Sequence, residues 1–535
     1  MRQYLWIIFL GCVFSPGYYV FGQFSIEKRN VVPIDRAEPA EHEVVSLKQK
    51  GLLLISVVQP WKYASEKEFM FTYLDTTFNL IRTNRYLLPF IFSKQKVSYF
   101  DEYQYLFFFT QDEMNKEVSV FRVNIFSGEE KIKTFKLPLK MEVEEFRAVS
   151  DQVYLLGTFG SKPVVVAYSY IDETPKVIPS FYEDDEKVVH VQPDIANKQI
   201  YFTLKNNLDK NCNLIVKPYS NLIGTLPRID VKERGQRTPL ESRLLPIDNR
   251  KKVLVGTYSL KCTKNPQGLF IADFDGSEMR DIRYKKFVEL SNFFNYHNEK
   301  KAERIREKIE RIESKGRDFM LNRKFLIHNN FFTAKDENIL VIEGYYTSYQ
   351  QTVNRNTIAG HPFYYNNNFN YYNYNYYRGQ FASPMVSTIL NQYNYAIICA
   401  FDQEGRLKWD NVLKIDRVEK NSLEEVVQVG SMGDSIVLAY QKEEEIYSKL
   451  IHRYQEVKAE TMQEVDDIFK DYEVSDNDWF KLIHWYDDVY LMYGEQRLKT
   501  KVTVDDQGGK LVFHTSKMRY YPHNEEDKVQ AKKEQ

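Results

Sequence analysis

At 535 residues the chain can hold two or three domains or one repeat array, and 73 basic against 74 acidic side chains leave a net charge of −1. A balance this even provides no field to recruit nucleic acid or an anionic membrane. Aromatic residues make up 15% of the chain, 39 of them Tyr, while Gly and Pro number 22 and 18, a profile that suits strands because rings and β-branched side chains pack well on a pleated surface.

Arg2 precedes an apolar run from Tyr4 to Phe14, and Ser15-Pro16-Gly17 breaks it. Val20 and Gly22 then sit at the −3 and −1 positions of a signal-peptidase site, so residues 1–22 read as a secretory signal with Gln23 as the mature start. The run is shorter than the about 20 residues that span a bilayer, and no later segment is apolar enough to do so. Leu10-Gly11-Cys12 offers an alternative, lipid attachment at Cys12. Export to the periplasm or beyond is expected on either route. Cys212, Cys262 and Cys399 remain after ordinary cleavage. Spacing favours a Cys212–Cys262 disulfide in an oxidising compartment, with three unpaired thiols as the alternative.

Downstream, one pattern keeps returning: an apolar stretch, a polar turn, a strongly apolar strand and a second hairpin strand. The central strands are predicted at 52–58, 105–109, 153–159, 200–204, 253–258, 339–345, 436–440 and 489–493. Gly157, Gly256 and Gly344 each close such a strand and precede Thr or Tyr. Recurrences of about 50 residues holding three or four short strands imply an all-β fold, a β-propeller of seven or eight blades, because radial stacking buries faces that a lone meander leaves open. A β-sandwich array is the rival. The count is seven or eight because terminal strands can complete one shared blade; the propeller is placed at 43–522, with a linker at 23–42 and a charged tail at 523–535.

Two gaps between recurrences are longer. The first, 285–322, is predicted to be a helical insertion. Ala302, Ile305, Ile309 and Ile312 share one face, Glu307 and Arg311 pair at i, i+4 on the other, and Gly316 stops the helix. That stripe packs on its own propeller or, through Ile305, Ile309 and Ile312, docks a partner. The second gap, 347–390, contains the run YYNNNFNYYNYNYY. From Gly344 to Asp402 there are 58 positions, against 19 from Gly256 to Asp275, so the tract is an insertion in a hairpin connection. Without apolar periodicity it reads as a loop with no core to join. Its tyrosines, Tyr364, Tyr365, Tyr371, Tyr372, Tyr374, Tyr376 and Tyr377, are the loop's candidate contacts to a glycan or protein.

No catalytic residue or metal site announces itself. The nine histidines form no HxxxH or HExxH pair, and neither a G-x-S-x-G elbow nor a Walker A loop occurs. Gly430-Ser431-Met432-Gly433, Asp273–Gly276 and Asp402–Gly405 read as hairpin turns, and the acidic run Glu183–Glu186 as a solvated loop. No cofactor is implied.

The block LVGTYSLKCTKNPQGLFIADFDG, the charged helix after it, and LVIEGYYTSY with the later YNYAIICAFDQEGRLKWDNVLKI resemble a group of uncharacterised secreted propeller-like proteins of Bacteroidota, most closely over 253–415. That resemblance implies an envelope setting and makes the helix part of the architecture. It implies no activity, and a type IX secretion tail is not apparent. The expected function is therefore a non-catalytic exported binding or scaffold protein of the cell envelope, with an envelope protein or glycan as partner. The alternative is a carbohydrate-active protein, a glycan binder or a propeller-type glycoside hydrolase.

Overall fold

The structure, a computed structural model, describes residues 21–523 except 35–39, 59–65, 90–91, 101–104, 113–116, 125–128, 161, 179–180, 182–185, 207–212, 232–234, 247–251, 276–277, 353–385, 453–459 and 500–509. Its strands form eight antiparallel sheets that follow one another along the chain. Each of the eight predicted central strands is the second strand of one sheet: Leu52–Val58, Tyr105–Asp112, Gln152–Phe159, Gln199–Asn206, Lys252–Leu260, Glu337–Thr352, Ser435–Lys442 and Val489–Leu498. Strands buried on both faces, as Leu52–Val58, Lys252–Leu260 and Ser435–Lys442 are, read as near-continuous apolar runs, which made them legible in the sequence.

Apolar clusters join each sheet to the next. Trp485 and Val489 of the eighth sheet pack with Val44 and Leu52 of the first, and Phe121 of the second packs with Phe69 and Phe71 of the first. One cluster runs from Val118 through Tyr154 to Phe202, joining sheets two, three and four. Further clusters join four to five, five to six, six to seven and seven to eight. The series closes on itself, so the sheets are the blades of a β-propeller.

The eighth blade is built from both ends of the chain. Val474–Tyr486, Val489–Leu498 and Lys510–His523 are followed at the outer edge by Phe21–Pro33, paired from Phe21↔His523 to Pro33↔Val512. Residues 23–42, expected to be a linker, therefore carry this strand and the start of Ala40–Ser46. Phe24 lies buried against Tyr490 and Tyr520. The strand escaped the reading because its partner lies at the opposite end of the sequence.

Side chains also reach across the blade junctions to backbone groups, and such bonds matter because a buried peptide group left unpaired is costly. Trp485 Nε1 donates to Gly51 O (2.9 Å), Arg82 Nη2 to Asn124 O (3.1 Å), Tyr170 Oη to Val120 O (3.2 Å) and Asn221 Nδ2 to Val149 O (2.7 Å). Gln192 pairs with Leu244 like a strand neighbour, accepting from its N–H (2.7 Å) and donating to its carbonyl (2.8 Å). Arg243 donates to Ile327 O and His328 O, Glu343 accepts from Val426 N and Val427 N, and Gln428 accepts from His484 N. Every junction of the ring has at least one such bond.

Three successive inner strands share a device. After a β-bulge come Glu145-x-Arg147, His190-x-Gln192 and Glu241-x-Arg243. Alternation puts each pair on the face opposite the buried Phe146, Val191 and Ser242. Arg147 pairs with Glu145 and Arg243 with Glu241. Between them His190 is held neutral by burial and by the charges of Arg243 and Arg147.

Two predictions follow from these buried polar groups. Glu343 also contacts His328 Nε2 (2.7 Å), so Glu343→Ala should cost about 3–5 kcal/mol in urea unfolding; a cost below about 1 kcal/mol would remove it from the frame. Burial lowers His42 to about 4 and His514 to about 3, and lowers His190 with them. An unfolded histidine takes up its proton near pH ~6.5. The stability these three supply is therefore present above that pH and lost as pH falls toward their folded values. For His328 burial is outweighed by Glu425 and Glu343, which raise its pKa, so its contribution is present at low pH and lost as pH climbs through that raised value. Burial also lowers His297 and His484, so with five against one the urea midpoint should drop between pH 7 and pH 4.5, and His514→Asn should flatten the drop.

Candidate functional site

Serine–histidine contacts are the first place to look for chemistry. Among the described residues there are three: His42 Nδ1 to Ser56 Oγ (2.9 Å), Ser435 Oγ to His452 Nδ1 (2.5 Å) and His514 Nδ1 to Ser516 Oγ (3.0 Å). The first two are directly opposed residues on neighbouring strands, and the third is an i, i+2 pair on one strand face. Ser56 and Ser516 are fully buried. The outer ring nitrogens of His42 and His514 meet no hydrogen-bond partner, so no third group orients either ring. A base held at about 3 or 4 is also far from the neutral range in which general bases work best. The His42 and His514 contacts satisfy buried hydroxyls; they do not assemble a nucleophile. Among the described residues no group of three His, Cys, Asp or Glu side chains is placed to hold a metal ion.

The helical insertion creates the better-formed site. The helix Glu299–Glu313 begins at Asn298, whose side chain accepts from Lys301 N (3.0 Å). Ala302 and Ile309 are buried among Phe287, Phe293, Phe294 and Phe325, and Ile305 packs beside them. Ile312 is half-buried. The apolar stripe thus faces the protein's own fifth and sixth blades. The insertion is tied down at both ends. Asp410 accepts from Ser291 N (3.0 Å) and Asn292 N (2.7 Å) where the chain leaves the fifth blade. Where it returns, Gln267 accepts from Leu321 N (2.7 Å) and donates to Leu321 O (3.0 Å).

Between the returning segment and the end of the fifth blade lies a cleft of about 310 Å³, at the low end of the range small-molecule sites occupy. Arg237, Tyr258, Gln267, Lys286, Asp318 and Phe319 form much of its lining. Tyr258 meets Tyr284 edge to face at 4.9 Å, and the Arg237 guanidinium lies over the Tyr284 ring at 4.7 Å. Lys286 Nζ lies 2.8 Å from Glu313 Oε1 and 3.5 Å from Asp318 Oδ1, and the Glu313 hydrogen bond raises its pKa, keeping it charged. Burial raises the Tyr258 phenol, with Arg237 and Lys286 opposing and Glu289 and Asp318 adding to the shift. A second cavity of similar volume, lined by Lys285, Asn292, Trp409 and Asp410 among others, lies beside the outgoing segment.

Of the residues singled out from sequence, Ile305, Ile309 and Ile312 occupy the helix as described. Tyr364, Tyr365, Tyr371, Tyr372, Tyr374, Tyr376 and Tyr377 lie outside the described residues, as does Cys212 of the proposed disulfide. Cys262 Sγ lies 3.8 Å from Thr238 Oγ1, and Cys399 is buried. Asp402 forms a hairpin turn, accepting from Glu404 N and Arg406 N. Glu186 is drawn out of its acidic run into a buried pair with Lys217 at 2.7 Å. The cleft residues were missed: they come from five separate segments and share no spacing.

No family profile matches the sequence, and no curated protein matches it. Solved structures similar in fold include the polysaccharide lyase Uly1, at 9% identity and a TM-score of 0.33, covering 79% of this chain and 89% of that one. The β-propeller domain of the Trilobed protease from Pyrococcus furiosus, at 8% and 0.33, covers 78% and 95%. A cobalt-substituted Synechocystis ACO, at 9% and 0.27, covers 46% and 65%. None of these likenesses bears on this chain's chemistry.

The anchoring role of Gln267 is testable. Gln267→Ala should accelerate tryptic cleavage at the exposed Lys315 and Arg317 several-fold while the protein still melts cooperatively. Unchanged cleavage would mean that the returning segment is held by other contacts.

Proposed function

We propose that the protein is a non-catalytic binding or scaffold component of the cell envelope, exported by its N-terminal segment, and that its partner is engaged at the insertion cleft. The observation that carries the reading is the anchoring of that cleft. A segment outside the repeat is fixed by Asp410 and Gln267 to a rigid ring, and the space it encloses is lined by charged, aromatic and amide side chains. Rigid elements that hold an irregular segment in place are how folds present binding surfaces. The helix stripe does not serve as the docking face in this reading, because it is spent on the propeller core.

Export rests on residues 1–22. Cleavage before Gln23 would remove only the Phe21 and Gly22 pairs from the closing strand and leave the rest of its ladder in place. The intact mass of the native protein should therefore begin at Gln23; a lipidated Cys12 would instead establish membrane attachment. For the cleft, the mature protein and Gln236→Trp, which places an indole at the cleft's exposed rim, should be compared in capture from gently solubilised native envelope. The expected result is a stoichiometric protein or glycan retained by the native chain and reduced at least tenfold by the variant, with identical melting. Equal retention by both would move the contact away from the cleft.

A further inference from the structure

We propose that the insertion cleft is a saccharide site that takes one uncharged sugar residue of a longer glycan. This rests on the cleft being the binding site, as argued above, and specifies its ligand.

A sugar ring presents weakly apolar C–H faces and a rim of hydroxyls, each both donor and acceptor. It is held where flat apolar surface alternates with fixed donors and acceptors, and the cleft has that alternation. Phe319, Leu321, Leu260 and Val288 supply apolar surface, and Arg237, Gln236, Lys286 and Asp318 supply polar groups around it. Tyr258 adds a phenol that burial keeps protonated, hence able to donate as well as accept. Gly268 helps seat this tyrosine: a Cβ there would lie 2.8 Å from the Tyr258 ring and 2.2 Å from Lys285 O. A side chain at 268 would clash with the Lys285 carbonyl first and with this ring as well.

Charge argues for a neutral ligand. Lys286 is already matched by Glu313 and Asp318, and Glu289 lies close enough to act on the Tyr258 phenol. With Arg237 and Lys286 set against Asp318 and Glu313, and Glu289 itself paired with Lys285, the charges around the cleft cancel, so the field gives an anionic sugar no advantage. A hydroxyl, in contrast, can take a donor from the ammonium or guanidinium and an acceptor from Asp318 without altering the charge balance. The volume of about 310 Å³ limits the site to a small ring-sized group, so further residues of a glycan would lie outside the cleft.

The test is titration calorimetry of the full mature protein with neutral gluco-, manno-, xylo- and N-acetylglucosamine oligosaccharides, beside oligogalacturonate as the anionic probe. Arg237 and Asp318 are exposed, so Arg237→Ala and Asp318→Asn should leave folding intact. The expected result is binding of at least one neutral oligosaccharide, weakened tenfold or more by each variant, with oligogalacturonate bound at least tenfold more weakly. Preference for oligogalacturonate would overturn the neutral assignment. Neutral sugar binding indifferent to both variants would place the sugar elsewhere and overturn the site. If no sugar binds while Gln236→Trp still abolishes envelope capture, the saccharide inference fails and the binding role of the cleft stands.

Discussion

Everything in this protein depends on closing a ring of sheets. A four-stranded meander has two faces to bury and two edges to protect, and it can do neither alone. Here each face is covered by the next blade. The last blade can be completed only if residues 21–33 return to pair with residues 510–523. Closure also explains the polar groups at the junctions. Strand pairing stops at the edge of each sheet, so the contact between blades has no ladder of its own. Gln192, Arg243, Glu343, Gln428 and Trp485 supply isolated rungs by bonding the next blade's backbone. A dry apolar seam can slide, whereas a seam with a buried hydrogen bond has one register in which the bond is made.

The insertion uses that rigidity. Its helix contributes Ala302 and Ile309 to the same apolar cluster as Phe287 and Phe325, so the segment belongs to the frame and does not hang from it. The cleft results from where the chain must come back. Leu321 is captured by Gln267 at the end of the fifth blade, and the space between is left for side chains that face no neighbouring sheet. Gly344 shows the same frame setting side-chain placement at the next blade. A Cβ there would lie 2.6 Å from the Tyr395 ring, which stacks on Tyr296 at 4.0 Å where the insertion begins.

What the sequence revealed follows physical lines. Central strands such as Leu52–Val58 and Lys252–Leu260 were legible because burial on both faces makes them continuously apolar, and the helix was legible because its stripe has a 3.6-residue period. The closing strand was not, since Phe24 and Ile26 mean little until Lys510–His523 is placed beside them. The Ser–His contacts arise from strand register, which brings His42 opposite Ser56 and Ser435 opposite His452. No spacing rule announces them, and the burial around His42 and His514 also makes those two poor bases. Arg237, Tyr258, Lys286 and Asp318 span the whole fifth blade and its insertion. They become a site only through the return of the chain, and no motif records that.

The ring account is tested most directly by native-state hydrogen exchange over residues 23–33 and 510–523. Closure predicts that amides of this paired ladder exchange as slowly as those of Lys252–Leu260 in the interior of the fifth blade, by the same global opening. Exchange of 23–33 orders of magnitude faster, at the rate of a frayed terminus, would contradict it: the ring would be open, and the frame that holds the cleft would rest on something else.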